Sequence, residues 1–305
     1  MENDISNRTG THQTLKQNDF RIKKSLGQNF LVDSNILDKI VNSAQIDKNT
    51  GVIEIGPGLG ALTQRLAEKA GKVVGIEIDK ELIPILNKNL SGYSNIEIIN
   101  NDVLDIDISE IISNKLSEFS SIKIVGNLPY YITSPIIIKL LTENSNVDTI
   151  TILIQKEVAE RINAKPGGKE YGSLTILINY YAEVSLAFHV SSNVFIPKPK
   201  VDSAVLQFKI RKLPPVQLEN QEFLFKVVRS CFKNRRKTLY NNLINNLLVK
   251  EEKDQLTEIL TKSNIDGIRR AETLSIEEFA NLANNIYLYI KNESTFSNLE
   301  VLKKD

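Results

Sequence analysis

The feature that most constrains the fold is an alternation running from Gly51 to about Asn179, in which short apolar runs are separated by longer amphipathic stretches. Short apolar runs of this kind are strands buried on both faces, and the stretches between them are crossover helices. The pattern therefore requires a largely parallel sheet with helices packed on it. Strands are predicted at Val52–Ile55, Lys72–Glu77, Ile96–Asn100, Ile122–Gly126 and Thr149–Gln155. Ala182–Val190 and Ser203–Arg211 follow with only the turn-rich Ser191–Lys200 between them, which leaves no room for a crossover helix, so this pair is expected to be antiparallel. Lys212-Leu213-Pro214-Pro215 breaks the alternation, and from Gln221 to about Ile290 the periodicity is helical. The reading is an α/β, Rossmann-like chain with a smaller all-helical C-terminal domain. Its expected parts are a disordered tail over 1–19, a sheet domain over 20–212, a helical domain over 213–291 and a second tail over 292–305.

Composition excludes several functions. The 305 residues, 41% of them hydrophobic, can bury a sizeable core, and a formal net charge of +1 gives no global attraction to nucleic acid. One cysteine, Cys231, rules out an internal disulfide framework, and the residue is read as core. Two histidines, His12 and His189, argue against a zinc site or a histidine-dependent triad. Met1 to Asn18 is polar and no stretch is apolar enough to span a bilayer, so the expectation is a cytoplasmic protein.

Open α/β sheets bind ligands beyond the carboxyl ends of their strands, and the informative motifs fall there. Asn127-Leu128-Pro129-Tyr130 follows the fourth predicted strand. Pro129 fixes its own φ and holds Leu128 extended, so the Asn127 side-chain oxygen and a neighbouring backbone carbonyl can accept the two N–H groups of an exocyclic amine while Tyr130 stacks on the ring. Taken alone, the tetrapeptide reads as a turn closing a strand, and it is the neighbouring motifs that favour the ligand reading. Glu54-Ile55-Gly56-Pro57-Gly58-Leu59-Gly60 turns the first strand into the first helix, where glycines let a ligand approach the backbone. Gly56, Gly58 and Ala61 also fit a dinucleotide fingerprint, with Glu77 at the spacing of a ribose-binding acid. Glu54 before the first glycine and glycines at every second position favour instead the cationic methyl donor S-adenosylmethionine. Glu77 and Asp102, each an acid at a strand end, are placed to accept from ribose hydroxyls and from an adenine amine.

These motifs, with Leu26-Gly27-Gln28-Asn29-Phe30-Leu31, Phe195-Ile196-Pro197, Val201-Asp202-Ser203-Ala204 and Asn234-Arg235-Arg236-Lys237-Thr238-Leu239, resemble the ribosomal RNA adenine N6-dimethylases. The similarity runs from about Phe20 to Ile290. The Asn234–Leu239 box and Arg270-Ala271-Glu272-Thr273-Leu274-Ser275 resemble the bacterial small-subunit (16S) branch, linked to kasugamycin sensitivity, more than the large-subunit (23S) enzymes. The resemblance implies a methyltransferase-type sheet using S-adenosylmethionine and no metal. It also implies dimethylation of two adjacent adenosines in the 3′-terminal hairpin of 16S rRNA within the immature 30S subunit, by a monomer. Gln28, Asn29, Leu31, Glu54, Gly56, Gly58, Glu77, Asp102, Val103 and Asn127 would hold the cofactor, with Asn127, Leu128, Pro129 and Tyr130 at the target amine. Phe195 would stack on the opposite face of the target adenine from Tyr130; in isolation it reads equally as a core aromatic.

RNA affinity would come from local charge. Between Lys198 and Lys237 eleven basic residues face three acidic ones, Asp202, Glu219 and Glu222. Lys198, Lys200, Arg229, Lys233, Arg235, Arg236 and Lys237 are the candidate phosphate contacts. Two other classes fit parts of the sequence. A nicotinamide-dependent dehydrogenase shares the glycine fingerprint but has no use for the Asn127 tetrapeptide. A non-catalytic assembly factor would keep the basic patch but need no cofactor set.

Overall fold

The computed structural model describes residues 5–143, 146–248 and 252–292. Its strands are β1 (Phe30–Leu31), β2 (Thr50–Ile55), β3 (Lys72–Glu77), β4 (Ile96–Asn100), β5 (Ser121–Asn127), β6 (Thr149–Gln155), β7 (Ala182–Val190), β8 (Phe195–Ile196) and β9 (Ser203–Ile210). Seven of them form one sheet in the order β4-β3-β2-β5-β6-β9-β7. The first five in that order run parallel, whereas β9 pairs antiparallel with both β6 and β7. All seven predicted strands are present, and the last pair is antiparallel as expected. Central strands are mostly apolar because both faces are covered: Val52, Ile53, Val73, Val74, Ile124 and Val125 are completely buried. α1 (Arg8–Gln17), α2 (Ser34–Ser43), α3 (Ala61–Lys69), α4 (Leu82–Asn89), α5 (Ile108–Lys115) and α6 (Thr133–Thr142) complete this unit.

Strand order creates the binding crevice. From β2 the chain winds one way through β3 and β4, and β5 then returns to the other side of β2, so their carboxyl ends part at a topological switch point. Ile55 pairs with Gly126 in that register, which places the loop after Ile55 beside Asn127. Gly126 must be glycine for this closeness, since a Cβ there would lie 2.8 Å from the Ile55 carbonyl oxygen.

Two expectations are corrected and one small sheet is added. The segment expected to be a disordered tail carries α1, capped by the Asn7 side chain accepting from Gly10 N, with Ile5, Thr11, Thr14 and Leu15 buried. Its polar composition hid this, because few apolar residues suffice to pin a short helix onto an existing surface. The chain divides into one compact unit of Met1–Ala159 with Ala182–Ile210 and a second of Glu160–Tyr181 with Arg211–Asp305. The helical unit therefore claims residues that the alternation assigned to the sheet domain. Tyr171, Ile176 and Tyr180 sit in its core, and the Tyr180 ring meets Phe225 edge-on at 5.4 Å. An apolar helix packs equally well on a sheet or on other helices, so its pattern could not say which. Finally, β1 and β8 form a two-stranded antiparallel sheet pairing Leu31 with Phe195, and strands of two residues carry no periodicity to detect.

The helical unit comprises the end of α7 (Lys156–Ile162), α8 (Ser173–Tyr181), α9 (Gln221–Phe232), α10 (Leu239–Asn246), α11 (Lys253–Lys262) and α12 (Ile276–Asn292). Asn220 caps α9 through Phe223 N, and Thr238 caps α10 through Asn241 N. Cys231 is fully buried here, which drives its thiol pKa upward and leaves it a small apolar core residue. The tail expected after Asn292 lies outside the described residues.

Candidate active site

The loop after β2 is built on left-handed glycines. Gly56 and Gly58 have φ of +68° and +61°, and the Gly58 Cα faces the Phe30 ring so closely that a Cβ would sit 3.2 Å from it. Side chains are thus excluded and the backbone itself forms the pocket wall. Gly58 N donates to Glu77 Oε2 at 3.0 Å, and Asp79 N donates to Glu77 Oε1 at 2.9 Å. Glu77, 5% exposed, is thereby fixed at the end of β3 with acceptor capacity left on both oxygens. Burial raises its pKa, although the backbone donors oppose the shift.

Glu54 is the unusual group. It is 1% exposed, and burial, followed by the nearby Glu77 charge, pushes its pKa to about 8. The Thr63 hydroxyl is near enough to favour the charged form but not to bond it: Thr63 Oγ1 and Glu54 Oε2 are both buried without a hydrogen-bond partner. An orphaned acid lining a pocket is a ready counter-charge for a cationic ligand.

The segment before α2 closes the pocket, and a clamp that sequence reasoning missed holds it there. Lys23 Nζ and Gln28 Nε2 each lie 2.7 Å from an Asp79 oxygen, and Gln28 Oε1 accepts from Lys23 N at 2.8 Å. Burial alone would raise the Asp79 pKa, but the Lys23 ammonium and the Glu81 and Gln28 donors more than offset it and hold it down. The available signal was position, since Asp79 stands two residues beyond Glu77 in the same run. Asn127 Nδ2 donates to the Asn29 carbonyl at 2.9 Å, which ties the same segment to the end of β5. That bond fixes the amide, leaving the Asn127 Oδ1 acceptor for a ligand. The Pro129 carbonyl is occupied by Ile132 N and Thr133 Oγ1, so the Leu128 carbonyl is the backbone acceptor beside Asn127. Tyr130 Oη lies 2.7 Å from Ser203 Oγ at the start of β9, which fixes the ring. Asp102 turns the chain after β4 by accepting from Leu104 N at 2.8 Å.

Gln28, Asn29, Leu31, Glu54, Gly56, Gly58, Glu77, Asp102, Val103, Asn127, Leu128, Pro129 and Tyr130 all line this one pocket, together with Ile5 and Thr11 from the N-terminal segment. Phe195 does not: it is 0% exposed and packs among Leu31, Leu37, Leu153 and Val205. The expectation of a stacking Phe195 is corrected to a core aromatic, because the pairing of β1 with β8 turns it inward. Phe195→Ala should accordingly cost about 3–5 kcal/mol in denaturant unfolding; a stability unchanged within error would show that the ring is not core.

The basic residues divide between the two units. Lys198 and Lys200 are exposed in the sheet unit, and Arg229, Lys233, Arg235, Arg236 and Lys237 are exposed around the end of α9 in the helical unit. Arg235 is partly engaged, its guanidinium donating to the Lys169 and Tyr171 carbonyls.

A doubly wound sheet whose switch point carries an orphaned acid, a glycine wall and an amide-bearing turn defines a nucleotide-type ligand site of the methyltransferase class. The chain belongs to the ribosomal RNA adenine dimethylase family, whose model matches residues 19–282. It is 52% identical over 285 residues to ribosomal RNA small subunit methyltransferase A of Geobacillus sp. (strain WCH70), covering 93% of this chain and 98% of that protein. With the protein of the same name from Listeria monocytogenes serotype 4a it shares 50% over 293 residues, covering 95% and 99%. The crystal structure of a dimethyladenosine transferase from Plasmodium falciparum superposes with a TM-score of 0.70 at 28% identity, covering 83% of this chain and 95% of that one. The structure of 23S rRNA methyltransferase ErmE gives 0.64 at 27%, covering 84% and 99%.

Proposed function

We propose that this protein transfers methyl groups from S-adenosylmethionine to N6 of two adjacent adenosines in the 3′-terminal hairpin of 16S rRNA, within the immature small subunit. The observation that carries the reading is the Asn127 amide, anchored through Asn29 and set against the glycine loop at the switch point. Family membership and the small-subunit relatives support the substrate class.

The residues suit the cofactor. The Gly56–Gly58 backbone and Glu54 would hold its cationic amino-acid end, Glu77 its ribose and Asp102 its adenine. Bound there, it supplies an electrophilic methyl on a sulfonium. An adenine N6 lone pair is delocalised into the ring and is a poor nucleophile. Asn127 Oδ1 and the Leu128 carbonyl would accept its two N–H groups and favour a pyramidal nitrogen, while Tyr130 stacks on the ring. The contribution is positioning and preorganised acceptors, and the proton lost from nitrogen can pass to water. After the first transfer one N–H remains, so one acceptor bond still orients the amine for the second.

The test is methyl transfer from labelled S-adenosylmethionine to undermethylated small subunits, free 23S RNA and duplex DNA side by side. Dimethyladenosine only in small subunits is expected, and transfer confined to 23S RNA would overturn the substrate assignment. For RNA affinity, Arg236→Glu with Lys237→Glu is expected to weaken subunit binding about tenfold or more and to flatten its salt dependence, with cofactor affinity unchanged. An unaltered salt slope in a filter-binding titration would place the RNA elsewhere. Arg235 is left intact in this variant because its guanidinium also braces Lys169 and Tyr171.

A further inference from the structure

We propose that Tyr131 is a stacking platform for the purine next to the target adenosine, so that two consecutive tyrosines hold two consecutive bases. The inference rests on the RNA adenine methylation proposed above and extends it to a second base site. Tyr131 is 56% exposed, and among the described residues it is the only aromatic in the set of large apolar side chains left exposed. It lines the same pocket as Tyr130, yet no hydrogen bond or ring contact within the described chain uses it.

One edge of the ring lies against Gly27. A Cβ on Gly27 would stand 3.1 Å from Tyr131 Cδ1 and 3.4 Å from Cε1, and Gly27 has φ +60°, so the glycine both makes the turn and leaves the space that the ring edge occupies. Behind it the turn is pinned by Leu128 N donating to the Leu153 carbonyl and by Thr133 Oγ1 donating to the Pro129 carbonyl. The segment carrying Gly27 is itself held through Gln28 to Asp79. A half-exposed tyrosine at the mouth of a base pocket has few rotatable bonds, so stacking on it costs little side-chain entropy.

The occupant follows from what extrusion does to RNA. Drawing one base out to Tyr130 strips its neighbour of a stacking partner, and unstacking is costly. A second aromatic one residue further along the protein chain can replace that partner, since every base offers a π-face and purines offer the larger one. Tyr130, with its hydroxyl on Ser203, is committed to the target; Tyr131 is free for the neighbour.

The test uses small subunits reconstituted with ligated 16S RNA carrying either two adjacent adenosines or one adenosine beside an abasic site. Affinity and single-turnover methylation are measured for the wild-type protein, Tyr131→Phe and Tyr131→Ala. On the adenosine pair Tyr131→Ala is expected to weaken binding at least about fivefold and Tyr131→Phe to match wild type, because a stacked base needs the ring and not the hydroxyl. On the abasic RNA all three proteins should bind alike. An alanine variant equal to wild type on the adenosine pair, or equally impaired on both RNAs, would overturn the platform while leaving the reaction standing. Absence of any transfer by the wild-type protein to the adenosine pair would sink the reaction and the platform with it.

Discussion

Asn127→Ala is expected to lower single-turnover methyl transfer by on the order of a hundredfold or more, corresponding to about 3 kcal/mol of transition-state stabilisation, while the fold and RNA affinity stay close to wild type. The expectation comes from the geometry of one amide. Its Nδ2 is held by the Asn29 carbonyl, so Oδ1 is left as a positioned acceptor beside the Leu128 carbonyl. Alanine removes the acceptor and also releases Asn29, yet Asn127 is only part-buried, so no large cavity results. The rate effect should therefore far exceed the loss of stability. Asn127→Asp sharpens the test, because it keeps an oxygen acceptor but loses the donor to Asn29 and adds a charge beside the cofactor end. Near-normal dimethylation of undermethylated small subunits by the alanine variant would reduce Asn127 to a turn residue.

The sheet and most of the pocket were legible because their signals are local. The five parallel strands declare themselves as short apolar runs, most of them buried, and Glu54, Gly56, Gly58, Glu77 and Asp102 stand at or just beyond the ends of such runs. Strand order then brings residues as distant as Gln28, Glu77 and Asn127 to one cavity, which no single stretch reveals. The failures share a cause. Phe195, α1 and the Glu160–Tyr181 segment each depend on which surface an element meets, and an apolar face has no address written in its sequence. Phe195 illustrates the point, because its motif marks a functional neighbourhood without saying which side chain faces the ligand. Pairing with Leu31 decides the matter. The Lys23–Gln28–Asp79 clamp was missed for the opposite reason, since Gln28 in its motif invites a cofactor role when the fold also uses its side chain to hold Asp79 beside Lys23.

Glu54 should make both stability and cofactor binding depend on pH. Its ordinary pKa of 4.5 applies to the unfolded chain, whereas in the folded protein burial raises it to about 8. Between these values the folded state keeps a proton that the unfolded state has released. Stability must then fall as pH rises through that window, reach its lowest contribution above the folded pKa and be unaffected by this group below the unfolded one. Glu54→Gln keeps the shape and removes the titration, so chemical denaturation between pH 5 and pH 8 should show a shallower decline for the variant, the difference amounting to about a few kcal/mol at the alkaline end. S-adenosylmethionine reverses the balance, because a cation near the carboxylate favours the ionised form. Binding at pH 7 should expel up to about one proton, and affinity should rise with pH by up to about tenfold per unit below the folded pKa. Calorimetry in two buffers of different ionisation enthalpy reads the proton directly, with the variant expected to release fewer protons than wild type. If wild-type protein and Glu54→Gln bound the cofactor with the same proton count and the same pH profile, the carboxyl would be a neutral wall of the pocket, and the counter-charge for the ligand would have to be sought at Glu77.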